Sequence, residues 1–461
     1  MPVRYGEVVV TATPLLHLKV RIEQQDGKQA SGLAADCLPP LWFDKDREKD
    51  YRRNVEDQLL AFRKAKDVYL ILGERHQPAV ELWQEAYPRI LEEGAISGLN
   101  ALTASFGSSF FERAMIDALC RMREVSFFEA LKQDLLGMET SKVVPPKPLD
   151  ALACRHTLGL TDPLTVGEIP EQARLNDGLP QALEEDIESY GLRYFKVMVS
   201  GDHELDLERL SRVAVLIHQR CRNGYAVTLD GNEQYQDLTD MERLIEALRS
   251  KPYGNEFLDS VQYIKQPLHR DVALEPGPAA GVEGLAQIKP VIIDECDDHL
   301  DAFKKAVGLG YLGTSHKNCK GIFKTLHNRA LITELNQQQG KKPERTYFQT
   351  GEDLACVPIL PLQQDLASLA ALGIEHGERS GHHYYRGLDH LLPEETAAAL
   401  TVHRDLYEER EGSAFLRIQD GTLLLKSLEA PGYGYRCEIA FDARTPLNEW
   451  SFDRLQAPAP E

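Results

Sequence analysis

Three charged residues, Asp230, Lys265 and Asp294, each stand at the end of a short apolar stretch. Longer segments with helical patterning separate these stretches, and this alternation of strand and helix is typical of a parallel barrel. The reacting groups of such barrels lie at the C-terminal ends of the strands. We therefore expect two carboxylates and one ammonium group to meet at one barrel mouth, where they could bind an ion or move a proton.

The three stretches resemble the metal-binding strands of the enolase superfamily, in its mandelate racemase and muconate lactonizing enzyme branch. They read LDGNEQY, YIKQPL and IIDECDD. In that family three acids hold a Mg²⁺ ion, which stabilises the enediolate formed when a proton leaves the carbon beside a carboxylate. The family pattern has Glu immediately before Gln-Pro-Leu, and this chain has Lys265 there. The resemblance thus implies a degenerate metal site with Asp230, Asn232 and Asp294 as the remaining candidate ligands.

The lysine at position 265 decides between two interpretations of this mouth. A lysine ammonium about 3 Å from two carboxylates would occupy the position of the metal and repel it. This interpretation predicts an internal ion-paired triad and no cofactor. In the alternative, Lys265 turns away, and Asp230, Asn232, Asp294 or Glu295 still hold Mg²⁺.

The resemblance extends to other strand ends. The family has two lysines one residue apart on the second strand; here Lys196 keeps the first position, and Met198, which cannot exchange protons, replaces the second. By the match of Ser315–Gly321 to the sixth-strand region, Lys317 is the acid or base on the opposite face of the substrate. The candidate catalytic residues are Lys317, Lys196, Lys265 and Glu378, and the candidate substrate-binding residues are Lys196, Lys265, Lys317 and Glu352.

Each of these residues also has a structural interpretation. Lys196 could simply balance inward-facing acids, and Lys317 could bind an anion without transferring a proton. The acids of residues 350–353 could cap a helix. His382 and His383 show no helical or strand spacing to a third ligand, so the sequence argues against a zinc site there.

Composition limits the possible partners. The net charge of −20 and the lack of a basic block argue against a nucleic acid or an anionic membrane, and favour a small molecule. No apolar run approaches a membrane span, and the first ten residues lack the pattern of a signal peptide. The eight cysteines have no ligand spacing, so we expect reduced, buried thiols and a cytoplasmic protein.

The 461 residues exceed one ordinary domain. We predict an α/β fold, a (β/α)₈ TIM barrel over residues 149–380, with an α+β capping domain over 1–148 and a C-terminal segment, 381–461, that returns to the cap. The cap should begin with a three-stranded antiparallel meander (7–13, 16–24 and 31–37) followed by helices. In the tail, three runs have strand character: 415–419, 423–426 and 437–441.

Two functions remain open. In the first, the chain binds a small carboxylate or acid sugar at a metal-free mouth, with weak or no activity of the family's kind. In the second, it is an active lyase or isomerase, of dehydratase or cycloisomerase type, with Lys317 as the base and with or without Mg²⁺. The resemblance also implies a homo-oligomer.

Overall fold

A computed structural model describes residues 3–5, 8–340 and 345–455. The N-terminal part is an α+β cap in which two short hairpins precede four helices. Side chains fix several helix starts, since Asp50, Asn100 and Ser126 each accept a hydrogen bond from a backbone N–H of the first turn that follows. The elements are β1 (Val3–Tyr5), β2 (Val8–Val10), β3 (Leu15–Glu23), β4 (Gln29–Cys37), α1 (Tyr51–Leu72), α2 (Ala79–Ile96), α3 (Ala101–Arg123) and α4 (Phe127–Lys132).

A closed barrel of eight parallel strands follows the cap, as the sequence predicted. The last strand pairs with the first, so the sheet has no open edge between them. The strands are β5 (Ala151–Leu158), β6 (Tyr194–Met198), β7 (Ala226–Asp230), β8 (Val261–Lys265), β9 (Val291–Ile293), β10 (Gly313–His316), β11 (Phe348–Gly351) and β12 (His376–Arg379). The helices are α5 (Leu183–Tyr190), α6 (His203–Arg220), α7 (Leu238–Arg249), α8 (Gly254–Ser260), α9 (Val282–Ile288), α10 (Ala302–Gly308), α11 (Ile322–Gln338) and α12 (Leu360–Leu372).

The C-terminal segment contacts both the barrel and the cap. Its elements are α13 (Gly381–Tyr384), α14 (Pro393–Val402), β13 (Tyr407–Arg410), β14 (Ser413–Leu416) and β15 (Thr422–Leu424). Strand β15 pairs antiparallel with the first half of β5. Further along, the Tyr435 hydroxyl donates a 2.6 Å hydrogen bond to Asp117 on α3, and Phe452 packs edge-on against Tyr51 on α1.

Two predicted strand arrangements are wrong. Strands β1 and β2 pair with each other, and β3 pairs with β4 in a separate sheet, so there is no three-stranded meander among the described residues. Pro14, which has no backbone N–H, lies directly before β3. Residues 437–441 are not a strand, because the backbone N–H groups beside and within this run bind side chains. Arg436 donates to His403 Nε2 and Ala440 donates to Glu395.

The interior contains apolar side chains and buried thiols. All eight cysteines are buried free thiols, as expected. One apolar cluster fills the barrel and its surrounding helices, and a second fills the cap between β4 and the first three helices. Trp83 of α2 stacks on Phe323 of α11 at a centroid distance of 5.1 Å, which joins the cap to the barrel. Within the described ranges, no helix combines the length and apolar character that crossing a membrane requires.

The closest backbone approach in the cap gives a first prediction. A Cβ on Gly32 of β4 would lie 2.1 Å from the Ala114 carbonyl oxygen of α3. Gly32→Ala should therefore lower the free energy of unfolding by roughly 1–3 kcal/mol or more, because backbone on both sides must move apart. Denaturant unfolding of the purified variant measures this. Gly277→Ala, where a Cβ would meet nothing within 4 Å, is the matched control, and equal stability of the two variants would contradict the packing.

Candidate functional site

The sheet register brings the predicted site residues together at the C-terminal end of the barrel. Met198 pairs with Asp230, and Asp230 pairs with Lys265, across adjacent parallel strands. Since neighbouring strands lie about 4.8 Å apart, side chains at paired positions on the same face touch. Asp294 directly follows β9, and Lys317 directly follows β10.

Six of these residues form a continuous row of alternating charges around the mouth, which we call the charge chain. Lys196 Nζ lies 2.7 Å from Glu378 and 2.8 Å from Asp230. Lys265 Nζ lies 3.0 Å from both Asp230 and Asp294. Lys317 Nζ lies 2.9 Å from Asp294 and ends the row. In order, the members are Glu378, Lys196, Asp230, Lys265, Asp294 and Lys317.

Lys265 is at the centre of the charge chain, with only 2% of its surface exposed. Burial by itself would lower its pKa, but the charges of Asp230, Glu295 and Asp294 outweigh burial and raise the pKa well above the usual value. The side chain is therefore a permanent ammonium. Its contacts with both carboxylates are those that the sequence led us to expect.

Three lysines, Lys265, Lys317 and Lys320, surround the carboxylate of Asp294. Lys320 donates to its backbone carbonyl at 3.1 Å, and the Ser315 hydroxyl donates to its side chain. Burial would raise the pKa of Asp294, but Lys317, Lys265 and Lys320 hold it well below its ordinary value. Lys320 also pairs with Asp297 at 2.9 Å, so the second lysine of the sixth-strand region is an internal counter-ion.

Glu352 and Glu295 lie beside the charge chain, and burial raises the pKa of both carboxyl groups. Burial raises the pKa of Glu352 to about 7; Arg155 opposes this shift, and the charge of Glu378 adds to it. Glu352 accepts hydrogen bonds from Arg155 and Tyr263 inside the barrel and is not in the wall of the mouth cavity. Burial likewise raises the pKa of Glu295, although Lys265, 3.5 Å away, opposes the shift.

A cavity of about 110 Å³ lies between the charge chain and the cap. The three mouth lysines, Glu378, Asp230, Met198 and Asn232 line its barrel side. Asn232 has a left-handed φ of 47°, and its backbone N–H donates to Asp230 at 2.9 Å. The thioether of Met198 lies in the wall, and it can neither accept nor release a proton.

A cap loop, residues 38–45, closes the other side of this cavity with Pro39, Leu41, Trp42 and Lys45. The Trp42 ring lies over Lys317 Nζ, 4.1 Å from the ring centroid. Arg270 donates to the carbonyl oxygens of Trp42 and Phe43 at 2.8 and 2.9 Å, and pairs with the buried Glu233. The barrel thus clamps the loop over the mouth. Sequence reasoning missed these cap residues, because nothing in the local pattern links the loop to the strand ends.

Sequence spacing offered His382 and His383 no third ligand, but the fold brings His156 to them. His156 Nδ1 of β5 lies 2.9 Å from His382 Nε2, and the three buried histidines form one cluster. His156 is far from the other two histidines in sequence, and the three meet because β12 pairs with β5. The two acids of residues 350–353 have different roles. Glu352 accepts hydrogen bonds inside the barrel, whereas Asp353 accepts hydrogen bonds of 2.9 Å from the backbone N–H groups of Cys356 and Ser380, before helix α12 begins.

The barrel with an α+β cap is the architecture of the mandelate racemase and muconate lactonizing enzyme proteins. Solved structures of such proteins match this chain over more than 90% of its length. The chain is similar to a muconate lactonizing enzyme from Klebsiella pneumoniae (17% identity, TM-score 0.53, covering 92% of this chain and 93% of that one). It is also similar to a magnesium-bound racemase from Streptomyces coelicolor A3(2) (13%, 0.54, 93% and 90%) and to the 3,6-anhydro-D-galactonate cycloisomerase from Zobellia galactanivorans (14%, 0.52, 94% and 95%).

These likenesses confirm, at the level of the fold, the resemblance that the strand-end motifs indicated. No protein-family model matches the sequence, and no curated protein matches it either.

The raised pKa of Glu352 gives a prediction on stability. Between pH 4.5, the ordinary pKa of this group, and about pH 7, Glu352 keeps a proton in the folded protein that it releases in the unfolded chain. Its contribution to stability therefore falls as the pH rises through that window. Glu352→Gln removes the effect. The free energy of unfolding of the variant, relative to the wild type, should rise by about 3 kcal/mol between pH 4.5 and 8.

Denaturant unfolding at a series of pH values measures this difference. Glu334→Gln, at an exposed position on α11, is the control and should follow the wild-type profile. A difference between Glu352→Gln and the wild type that stays constant from pH 4.5 to 8 would show that Glu352 is already ionised in this range.

Proposed function

We propose that this chain binds a small carboxylate at a mouth that works without a metal ion, and that it lacks the metal-dependent proton abstraction of the family that its strand ends resemble. One observation carries the proposal. The ammonium group of Lys265 lies 3.0 Å from both carboxylates that would otherwise be metal ligands.

The donor set at the mouth does not fit Mg²⁺. This ion requires near-octahedral oxygen coordination at about 2.0–2.1 Å. Asp230 and Asp294 both direct carboxylate oxygens at Lys265, and Asp230 also binds Lys196. A divalent ion between these acids would lie against the buried ammonium of Lys265, and the two positive charges would repel each other.

Lys317 is the residue best placed to bind an incoming carboxylate. Among the carboxylates of the described chain it pairs with Asp294 alone, whereas Lys196 and Lys265 each bridge several acids. An ammonium group has three N–H donors, and Lys317 also lines the cavity. Together with the other two mouth lysines it offers an anionic ligand a positively charged wall.

The size of the cavity limits the ligand. Its volume of about 110 Å³ is well below the roughly 300–1,000 Å³ typical of pockets for drug-sized ligands. It is comparable to the volume of about four liquid waters, at roughly 30 Å³ each. The closed cap therefore favours an acid of a few carbon atoms, and an acid sugar would need the cap loop to move away from Arg270.

Two features argue against efficient turnover. Met198 leaves one face of a bound acid without a base. A lone ammonium is also a weaker and less orienting partner for an enediolate than a divalent ion that binds both carboxylate oxygens. Binding with weak or no reaction is the function that these two features support.

Restoring the missing acid tests the metal-free mouth. Lys265→Glu replaces the ammonium with a third carboxylate. The variant should therefore bind Mg²⁺, which we expect the wild type not to bind, and its melting temperature should rise as Mg²⁺ is added. Lys265→Gln, which removes the charge without adding an acid, is the matched control and should gain much less. Titration calorimetry and thermal unfolding give the readouts. Equally tight Mg²⁺ binding by the wild type would overturn the proposal.

Carboxylate binding is tested by calorimetry with EDTA present, using two- to four-carbon acids and six-carbon acid sugars. The smaller acids should bind more tightly, and Lys317→Met should weaken them by at least about tenfold, as expected for losing a charged hydrogen bond of about 1.5–3 kcal/mol. Lys305→Met, at an exposed lysine, is the control. Binding only in the presence of Mg²⁺, or exchange of the α-proton in D₂O, would favour a lyase or isomerase with Lys317 as base.

A further inference from the structure

We propose that His156, His382 and His383 form a Zn²⁺ site on the outer face of the barrel. The site ties α13, which follows the last barrel strand, to the first strand, β5. It is separate from the charge chain and does not depend on the function proposed for the mouth.

The geometry of the three rings is close to that of a zinc site. One nitrogen from each histidine lies within 4.8 Å of the others, and His156 Nδ1 and His382 Nε2 are 2.9 Å apart, at hydrogen-bonding distance. Tetrahedral Zn²⁺ with Zn–N bonds of about 2.0–2.1 Å needs nitrogens roughly 3.3 Å apart. Rotations of the side chains that move each nitrogen by about an ångström or less would suffice.

The backbone fixes this arrangement. Arg379 of β12 pairs with His156 of β5, and His382 and His383 follow three and four residues later on the short helix α13. The neighbours of His156 point into the barrel, where Arg155 binds Glu352 and Thr157 donates to Glu378. Because side chains alternate along a strand, His156 faces outward. All three histidines are buried, so their positions are set by packing.

The surrounding groups support a metal ion. His156 Nε2, the nitrogen that would not bind the metal, lies 3.7 Å from Asp186 Oδ2 of α5. Metal-bound histidines commonly direct their second nitrogen at a carboxylate in this way.

Asp186 is otherwise hard to explain. It is buried, and its Oδ1 has no hydrogen-bond partner among the described residues. A divalent ion on Nδ1 of His156 would polarise the ring and place positive charge on the side of Asp186. Packing and the hydrogen bond between His156 and His382 are the simpler explanation of the cluster, since Tyr190 also packs edge-on against His382 at 5.4 Å. They leave Asp186 Oδ1 without a hydrogen-bond partner among the described residues.

There is room for solvent on the His382 side of the cluster. A cavity of about 30 Å³ adjoins His382 and is also lined by Tyr190, Asp353 and Arg379. This volume holds about one water molecule, which would complete a tetrahedral set. Because Tyr384 and Tyr385 continue from the histidines into the wall of the mouth cavity, the ion would also fix that wall.

The test uses the full chain, stripped of metal with a chelator, incubated with Zn²⁺ or Co²⁺ and desalted. We expect close to one Zn²⁺ per chain by elemental analysis, a rise in melting temperature with Zn²⁺, and the intense visible absorption of tetrahedral Co²⁺ with nitrogen ligands. His382→Gln and His383→Gln should each lose most of the bound metal. His327→Gln, at an exposed histidine, should keep it.

Two results would overturn the site. In the first, the wild type retains almost no Zn²⁺ after desalting and shows no tetrahedral Co²⁺ spectrum. In the second, both cluster variants bind Zn²⁺ as fully as the wild type, which would locate the metal elsewhere. If the variants fold poorly, the Co²⁺ spectrum of the wild type decides, because octahedral or oxygen-only coordination excludes the tetrahedral three-histidine site proposed here.

Discussion

The ammonium of Lys265 between two buried carboxylates is the interaction on which the barrel mouth depends. Asp230 and Asp294 are essentially without solvent contact, so each needs a positive partner inside the protein. Three acids with a divalent ion, and two acids with one ammonium, have the same net charge of −1. Exchanging an acid for Lys265 therefore keeps the charge of the barrel end constant, and the fold can persist while the chemistry of the mouth changes.

The same constraint extends outward from Lys265. Asp230 has a second partner in Lys196, and Asp294 has a second partner in Lys317, so charges of opposite sign alternate along the row. Lys196 and Lys265 each lie between two carboxylates, and all three lysines lower the pKa of the acids they contact. Burial keeps water from screening these interactions. A ligand must therefore compete with internal acids for the lysines. This competition favours an anion that reaches Lys317, at the end of the row, beneath Trp42.

The mouth could be predicted from sequence because local patterns encode it. The apolar runs before Asp230 and Lys265 end at those residues, and parallel strands place their C-terminal ends together. The histidine cluster could not be predicted in the same way. His156 and His382 are 226 positions apart, and they meet only because the barrel closes between its first and last strands. The strand predicted over 437–441 does not form, because the backbone N–H groups there bind the side chains of His403 and Glu395. Composition alone does not show which groups a backbone will bind.

Strand β5 shows how one element separates two kinds of chemistry. Its alternation directs Arg155 and Thr157 into the ionic interior and His156 outward to neutral imidazoles. The interior needs charges that cancel one another, since burial removes these groups from bulk solvent. The outer cluster has lone pairs and a nearby carboxylate, which together suit a cation. A metal is therefore better accommodated behind the barrel wall than at the mouth, where Lys265 already supplies the positive charge.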